Sequence, residues 1–231
     1  MCSAATNSDA MNMKGPFPPR EDIAALKEKC DEWWYSTTLE LGFCGTKLSH
    51  EEADEVIRRS VGAAESSYSD VARLYRGQSP ETIAQTLGLG VRLVNKDAFW
   101  GNGNILALFV PGENSILLCE ETIVALLRYI DASGLSETMG KQNIRQMALC
   151  HELFHAIEER TPGIYTRSKM LKRKFLFFDA RRGFDSASEI GAIHFSKLMS
   201  GISFSPCLYE YLLISMNGRA IPDAWRLNHV N

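Results

Sequence analysis

The chain has 231 residues, 45% of them hydrophobic and 23% charged, with 25 Lys and Arg against 28 Asp and Glu. That balance suits a globular domain and excludes wholesale disorder and fibrous or low-complexity classes. A formal net charge of −3 is too small to steer the chain to DNA or anionic lipid by itself.

Residues 1–20 are small, polar and proline-rich (Pro16, Pro18, Pro19). They predict a disordered or draped N-terminal arm, and with no apolar stretch behind a basic start, no secretory leader is expected. Residues 21–231 are expected to form one domain. Glu21 and Asp22 suit a first helical turn, and Ile23, Leu26, Cys30, Trp33 and Trp34 recur near the helical period. A second helix is expected from Ser49, with Glu52 as capping-box partner, to about Ala64. A third is expected near Pro80–Leu87, closed by Gly88.

The middle of the chain reads as strands: Val91–Val94, Ile105–Val110 and Ser115–Cys119, the last two joined as a hairpin through Gly112-Glu113-Asn114. Helices follow over about Glu120–Asp131, 141–160, Ser186–Met199 and Leu208–Met216. Between them, 165–182 is basic and aromatic, and is expected to be a solvated loop flanking a cleft, with a preference for acidic peptide. The resulting class is α+β: a helical core with a small three-stranded sheet. No run of about 18 apolar residues offers a membrane span. The six cysteines (Cys2, Cys30, Cys44, Cys119, Cys150, Cys207) are scattered without a CxxC pair, as free thiols of a cytoplasmic protein would be.

His151-Glu152-Leu153-Phe154-His155 is HExxH, inside the helix expected over 141–160. Positions i and i+4 share a helix face, so two imidazoles can reach one metal ion, and Glu152 beside them can accept a proton from water without being a ligand. Ile144 and Ala148 lie on the same stripe as both histidines, and a buried imidazole without a partner costs free energy that a metal relieves. Zinc needs a third protein ligand. Glu189, His194, Asp185 and His229 are the candidates. Glu189 is favoured because Ala187, Gly191 and Ala192 would let its helix pack closely on the metal helix. His194, about 140° round that helix from Glu189, is expected to be a core, orienting or substrate-side group. Tyr165, Tyr209, Tyr211 and His194 are candidates to steady an oxyanion.

HELFH followed by SEIGAIHF resembles the gluzincin metallopeptidases, specifically the small ImmA/IrrE-type, or minigluzincin, branch. The order LGLGVRLV, ILALFVP, SILLC and then a helix into HExxH is similar to that branch, and the resemblance spans about residues 80–200. It implies a metal core there with an HExxH active-site helix, His151, His155 and Glu189 as Zn²⁺ ligands, Glu152 as general base, and hydrolysis of peptide bonds in an intracellular protein or peptide. Ile193 stands where larger gluzincins carry an acid that orients a ligand histidine, so that role is expected to fall to Asp185 or a backbone carbonyl. Neither a membrane nor nucleic acid is expected as a partner. The alternative functions are a non-catalytic metal-binding or metal-sensing domain that uses the cleft to bind a protein, and a zinc hydrolase of a non-peptide amide.

Overall fold

The computed structural model describes residues 15–42, 48–99, 105–139, 143–168, 170–175, 178–183 and 185–227. The first helical pattern is divided into α1 (Arg20–Lys27) and α2 (Asp31–Leu41). Cys30 between them is extended, and Asp31 and Glu32 open a new first turn, where their charge meets the helix dipole. α3 (His50–Leu74) starts with the expected capping box, Ser49 and Glu52 each bonding the other's backbone N–H. It continues well beyond Ala64. Ser67 and Ser69 donate their hydroxyls to the carbonyls of Ala63 and Glu65, at 2.9 and 2.8 Å, and so stay within the helix. α4 (Pro80–Thr86) is capped by Ser79, with Pro80 in its first turn.

Three strands follow: β1 (Gly90–Val94), β2 (Ala107–Val110) and β3 (Ser115–Cys119), in the order β1-β3-β2. β3 runs parallel to β1, with Leu118 opposite Leu93, and antiparallel to β2, with Ile116 opposite Phe109. The β2–β3 hairpin turns through Asn114 at φ 46°, a left-handed conformation that asparagine tolerates. Every residue of β3 is buried. Ile116 and Leu118 join the main core, while Leu117 and Cys119 pack with Phe99 on the opposite face. This leaves β2 at an edge, beside the helices that follow.

Those helices are α5 (Glu120–Ala132), α6 (Ser136–Met139), α7 (Ile144–Arg160) and α8 (Tyr165–Ser168). The basic stretch expected to be a loop instead forms an antiparallel pair, β4 (Met170–Phe175) and β5 (Phe178–Gly183), with Phe175 opposite Phe178. Aromatic residues favour such pleated pairing. α9 (Asp185–Ser200) and α10 (Cys207–Met216) follow. The class is α+β, mostly helical with one small mixed sheet. No described helix is long and apolar enough to cross a membrane.

α7 runs through the core. Leu149, Leu153, Phe154 and Ala156 have no solvent exposure, and full burial of a side chain such as Phe154 contributes about 1.5–3 kcal/mol. α9 packs on both α7 and α3. Gly191 makes the α7 contact possible: a Cβ there would lie 2.7 Å from the Phe154 ring and 3.1 Å from Thr166. The described end of the N-terminal arm lies on α5, where the Tyr129 hydroxyl donates to the Pro16 carbonyl at 2.9 Å and the Phe17 and Tyr129 rings are 5.2 Å apart. Residues 1–14, and with them most of the arm, lie outside the described residues.

Candidate metal centre

α7 presents His151 and His155 on one face, with ring centroids 4.9 Å apart. α9, held against it at Gly191, brings Glu189 to the same place. The two histidine Nε2 atoms are 3.2 Å apart. Glu189 Oε2 is 3.3 Å from His151 Nε2, and Oε1 is 3.7 Å from His155 Nε2. Donors on a tetrahedral zinc ion, at about 2.0–2.1 Å from it, stand about 3.3 Å from one another. The observed separations fit that figure. Among the described residues this is the one group of three or more His, Cys, Asp or Glu with metal-holding spacing.

The orientation of His155 supports the fit. Its Nδ1 lies 2.9 Å from Oε1 of Glu158 and 3.1 Å from the Ser188 hydroxyl, which also donates to Glu158. A carboxylate partner draws the ring proton to Nδ1 and leaves the Nε2 lone pair facing the other two donors. Two inward-facing imidazoles and one carboxylate form a donor set suited to zinc. The orienting acid is thus Glu158 rather than Asp185 or a backbone carbonyl. Asp185 lines the same cleft without a hydrogen bond or ion pair among the described residues. The signal in the sequence is plain in hindsight: Glu158 lies three positions after His155, on the same helix face.

Charge follows this arrangement. Burial alone would lower the pKa of His151, but its hydrogen bond to Glu189, with the charges of Glu189, Glu152 and Glu210, raises it to about 9. The cleft walls desolvate Glu189, which favours its neutral form, yet the hydrogen bond to His151 and the charges of both histidines hold its carboxyl at about 2. Burial likewise works against charge on Glu158, and the bonds from His155 and Ser188 keep it below the usual range.

Glu152 is almost buried, at 9% exposure, and its Oε2 accepts the backbone N–H of Phe109 at 2.7 Å. The edge strand β2 therefore fixes the carboxylate from outside the helix. The sequence carries no side-chain signal for this contact, since the donor is main chain. β2, α7, α9 and α10 enclose a cleft of about 790 Å³ that contains all three candidate ligands and Glu152.

The remaining candidates are dispersed. Tyr209 lines the cleft, fully buried, with its ring 5.5 Å from Phe204, and burial pushes its phenol up to about 12. Tyr211 lies in the main core. Tyr165 packs with Val56 and Ala187, under the Arg59 guanidinium, 4.2 Å from its ring. His194 faces α2 and α3: its Nδ1 is 2.7 Å from the Tyr35 hydroxyl and its Nε2 is 3.7 Å from Glu65. None of these last three lines the cleft. His229 lies outside the described residues. Cys30, Cys119, Cys150 and Cys207 are free thiols. Burial pushes those of Cys150 and Cys207 up to about 12, which makes them unreactive.

No protein-family model matches the chain, and no curated protein or solved structure is detectably similar to it.

Proposed function

We propose that the chain is a zinc-dependent metallopeptidase of the minigluzincin type, acting on an intracellular protein or peptide. His151, His155 and Glu189 hold the ion, and Glu152 is the general base. The observation that carries this reading is the convergence of the three donor atoms, 3.2–3.7 Å apart, beside a buried glutamate of the same helix. Free thiols in the described chain accord with a reducing cytoplasm.

When bound, zinc supplies Lewis acidity, polarising a scissile carbonyl and lowering the pKa of a water to about 7. The chain supplies the rest. The Phe109 N–H holds Oε2 of Glu152 and so steadies the carboxylate, which takes the proton of the attacking water and returns it to the leaving amine. Glu158 and Ser188 keep the His155 proton on Nδ1. Leu106, Leu108, Phe109 and Leu213 make the walls largely apolar, which strengthens each electrostatic contact within the cleft. Tyr209 is the one candidate tyrosine on that wall.

The test compares Glu152→Gln with the wild-type chain. Zinc content should stay near one per chain, and peptide-library cleavage should fall about 10²–10⁴-fold, the usual contribution of a positioned base. Undiminished cleavage by this variant overturns the mechanism, and a chain that takes up no zinc overturns the site. A zinc-holding domain that only binds a partner would retain its zinc and cleave nothing even as wild type.

A further inference from the structure

The basic segment between the candidate ligands folds as the hairpin β4–β5, a sheet of its own, separate from β1-β3-β2. Its register pairs Phe175 with Phe178, and the sequence between them is Leu176-Phe177. Two-residue hairpin connections ordinarily carry Asn, Asp or Gly, which tolerate the tight backbone. Here the far end of the hairpin reads Phe-Leu-Phe-Phe, a local rule broken where functional sites break it. Behind that end the register places Lys174 opposite Asp179, Arg173 opposite Ala180, Lys172 opposite Arg181 and Leu171 opposite Arg182. Those rungs hold five cations against one acid, in a chain whose formal net charge is −3. At about 3.4 Å per residue, all five lie within about 14 Å of the Phe175–Phe178 pair along the strands.

An apolar end with cations gathered behind it matches the layering of an anionic bilayer. The headgroup layer is about 5–8 Å deep. Aromatic residues settle at its boundary with the acyl chains, and its negative surface draws Lys and Arg from within about 8 Å. We propose that the β4–β5 hairpin docks the chain on an anionic lipid surface. The Phe175–Phe178 end enters the headgroup–acyl boundary, and Lys172, Arg173, Lys174, Arg181 and Arg182 meet the headgroups. An isolated two-stranded hairpin is marginal in water, and the lipid supplies cover for its apolar end. A nucleic-acid strand fits less well, because it stacks its bases on aromatics spaced along a cationic groove, whereas these aromatics are gathered at one end. The proposal is independent of the zinc reading. It replaces the expectations that this segment selects acidic peptide and that no membrane is a partner. Arg167 in α8 and Asp185 at the start of α9 flank the hairpin in the chain, and both line the cleft. Docking therefore tethers the cleft close to the lipid surface.

The experiment is co-sedimentation of the full chain with vesicles of phosphatidylcholine, alone or with about 30% phosphatidylserine. Binding should be at least about ten-fold tighter with phosphatidylserine and should weaken as salt is raised. Lys172→Gln, Arg173→Gln and Lys174→Gln together should weaken it at least about ten-fold, since each cation near such a surface contributes. Phe175→Ser with Phe178→Ser should weaken it about ten-fold with the charge unchanged. In a separate Phe178→Trp variant, lipids brominated on their acyl chains should quench emission beyond any change in the wild-type chain. Circular dichroism accompanies each variant. Equal binding to both vesicles, binding to neither, or no added quenching overturns the assignment. A serine variant that loses its fold also overturns it, because the phenylalanines then close the core. So does binding of a single-stranded oligonucleotide more tightly than of vesicles, which makes the hairpin a nucleic-acid surface. Zinc content is scored separately: lipid binding by a chain without zinc supports the hairpin and counts only against the metal centre.

Discussion

α9 carries two polar clusters built around histidine contacts, on different sides of the helix. On one side, Ser188 and Glu189 meet His151 and His155; on the other, His194 meets Tyr35 and Glu65. The chemistry of the parts is similar, and the outcome is opposite. In the first cluster two Nε2 atoms and a carboxylate converge, with one Nδ1 tied back by Glu158, so the lone pairs point at a common spot. In the second, a single imidazole gives Nδ1 to a phenol while Nε2 faces one distant carboxylate, and nothing else converges. The surroundings shift the protons accordingly: His151 is raised to about 9 by its acids, whereas burial lowers His194. Histidine alone does not make a metal site; a candidate also needs convergence and back-support.

The largest effect separates the clusters outright. His151→Ala, His155→Ala and Glu189→Ala should each bring zinc content, read by elemental analysis, from near one per chain to near zero. His194→Ala should leave it unchanged. Zinc loss in the His194 variant alone would invert the comparison.

Acidification should act on the first cluster only. In the metal-free chain His151 keeps its proton up to about pH 9, and zinc must expel it. Apparent affinity should therefore fall about ten-fold per pH unit below 9, or about 100-fold from pH 8 to pH 6, in chelator competition. A flat profile over that range would show that Glu189 does not hold the His151 proton.

Back-support should matter next. Glu158→Gln keeps the shape but removes the charge on His155 Nδ1, and affinity for zinc should drop about 10–100-fold while the fold persists by circular dichroism. The smallest change belongs to the second cluster. Tyr35→Phe deletes the 2.7 Å bond to His194, and should lower unfolding free energy by about 1 kcal/mol in urea titration with zinc content intact.

Much of this was legible in the sequence because it is written in side chains with local meaning. The Ser49–Glu52 box, Pro80, the apolar runs of β2 and β3, and the HExxH spacing each set their own geometry within a few residues. What escaped was written elsewhere. α3 hides its second half because its buried stripe uses Ser60, Ala64 and Ser67, small groups chosen for contact and not for hydrophobicity. The break at Cys30 carries no proline or glycine; its trace is the acidic pair that follows. The hold on Glu152 comes from a backbone N–H of a strand far away in the chain, and no pattern of residue types encodes a main-chain donor. Glu158 was visible by spacing but had no motif to announce it.

The candidate donors come from only two helices, α7 and α9, and the chain between them, 156–188, includes β4 and β5. An ion shared by His155 and Glu189 would close that stretch into a covalent-like ring. Closing a loop in advance removes conformations from the unfolded chain more than it adds contacts to the folded one. Zinc would then act as a staple on the polymer as well as a reagent, holding the β4–β5 excursion to the body of the domain and resisting the separation of the two helices that Gly191 allows to touch.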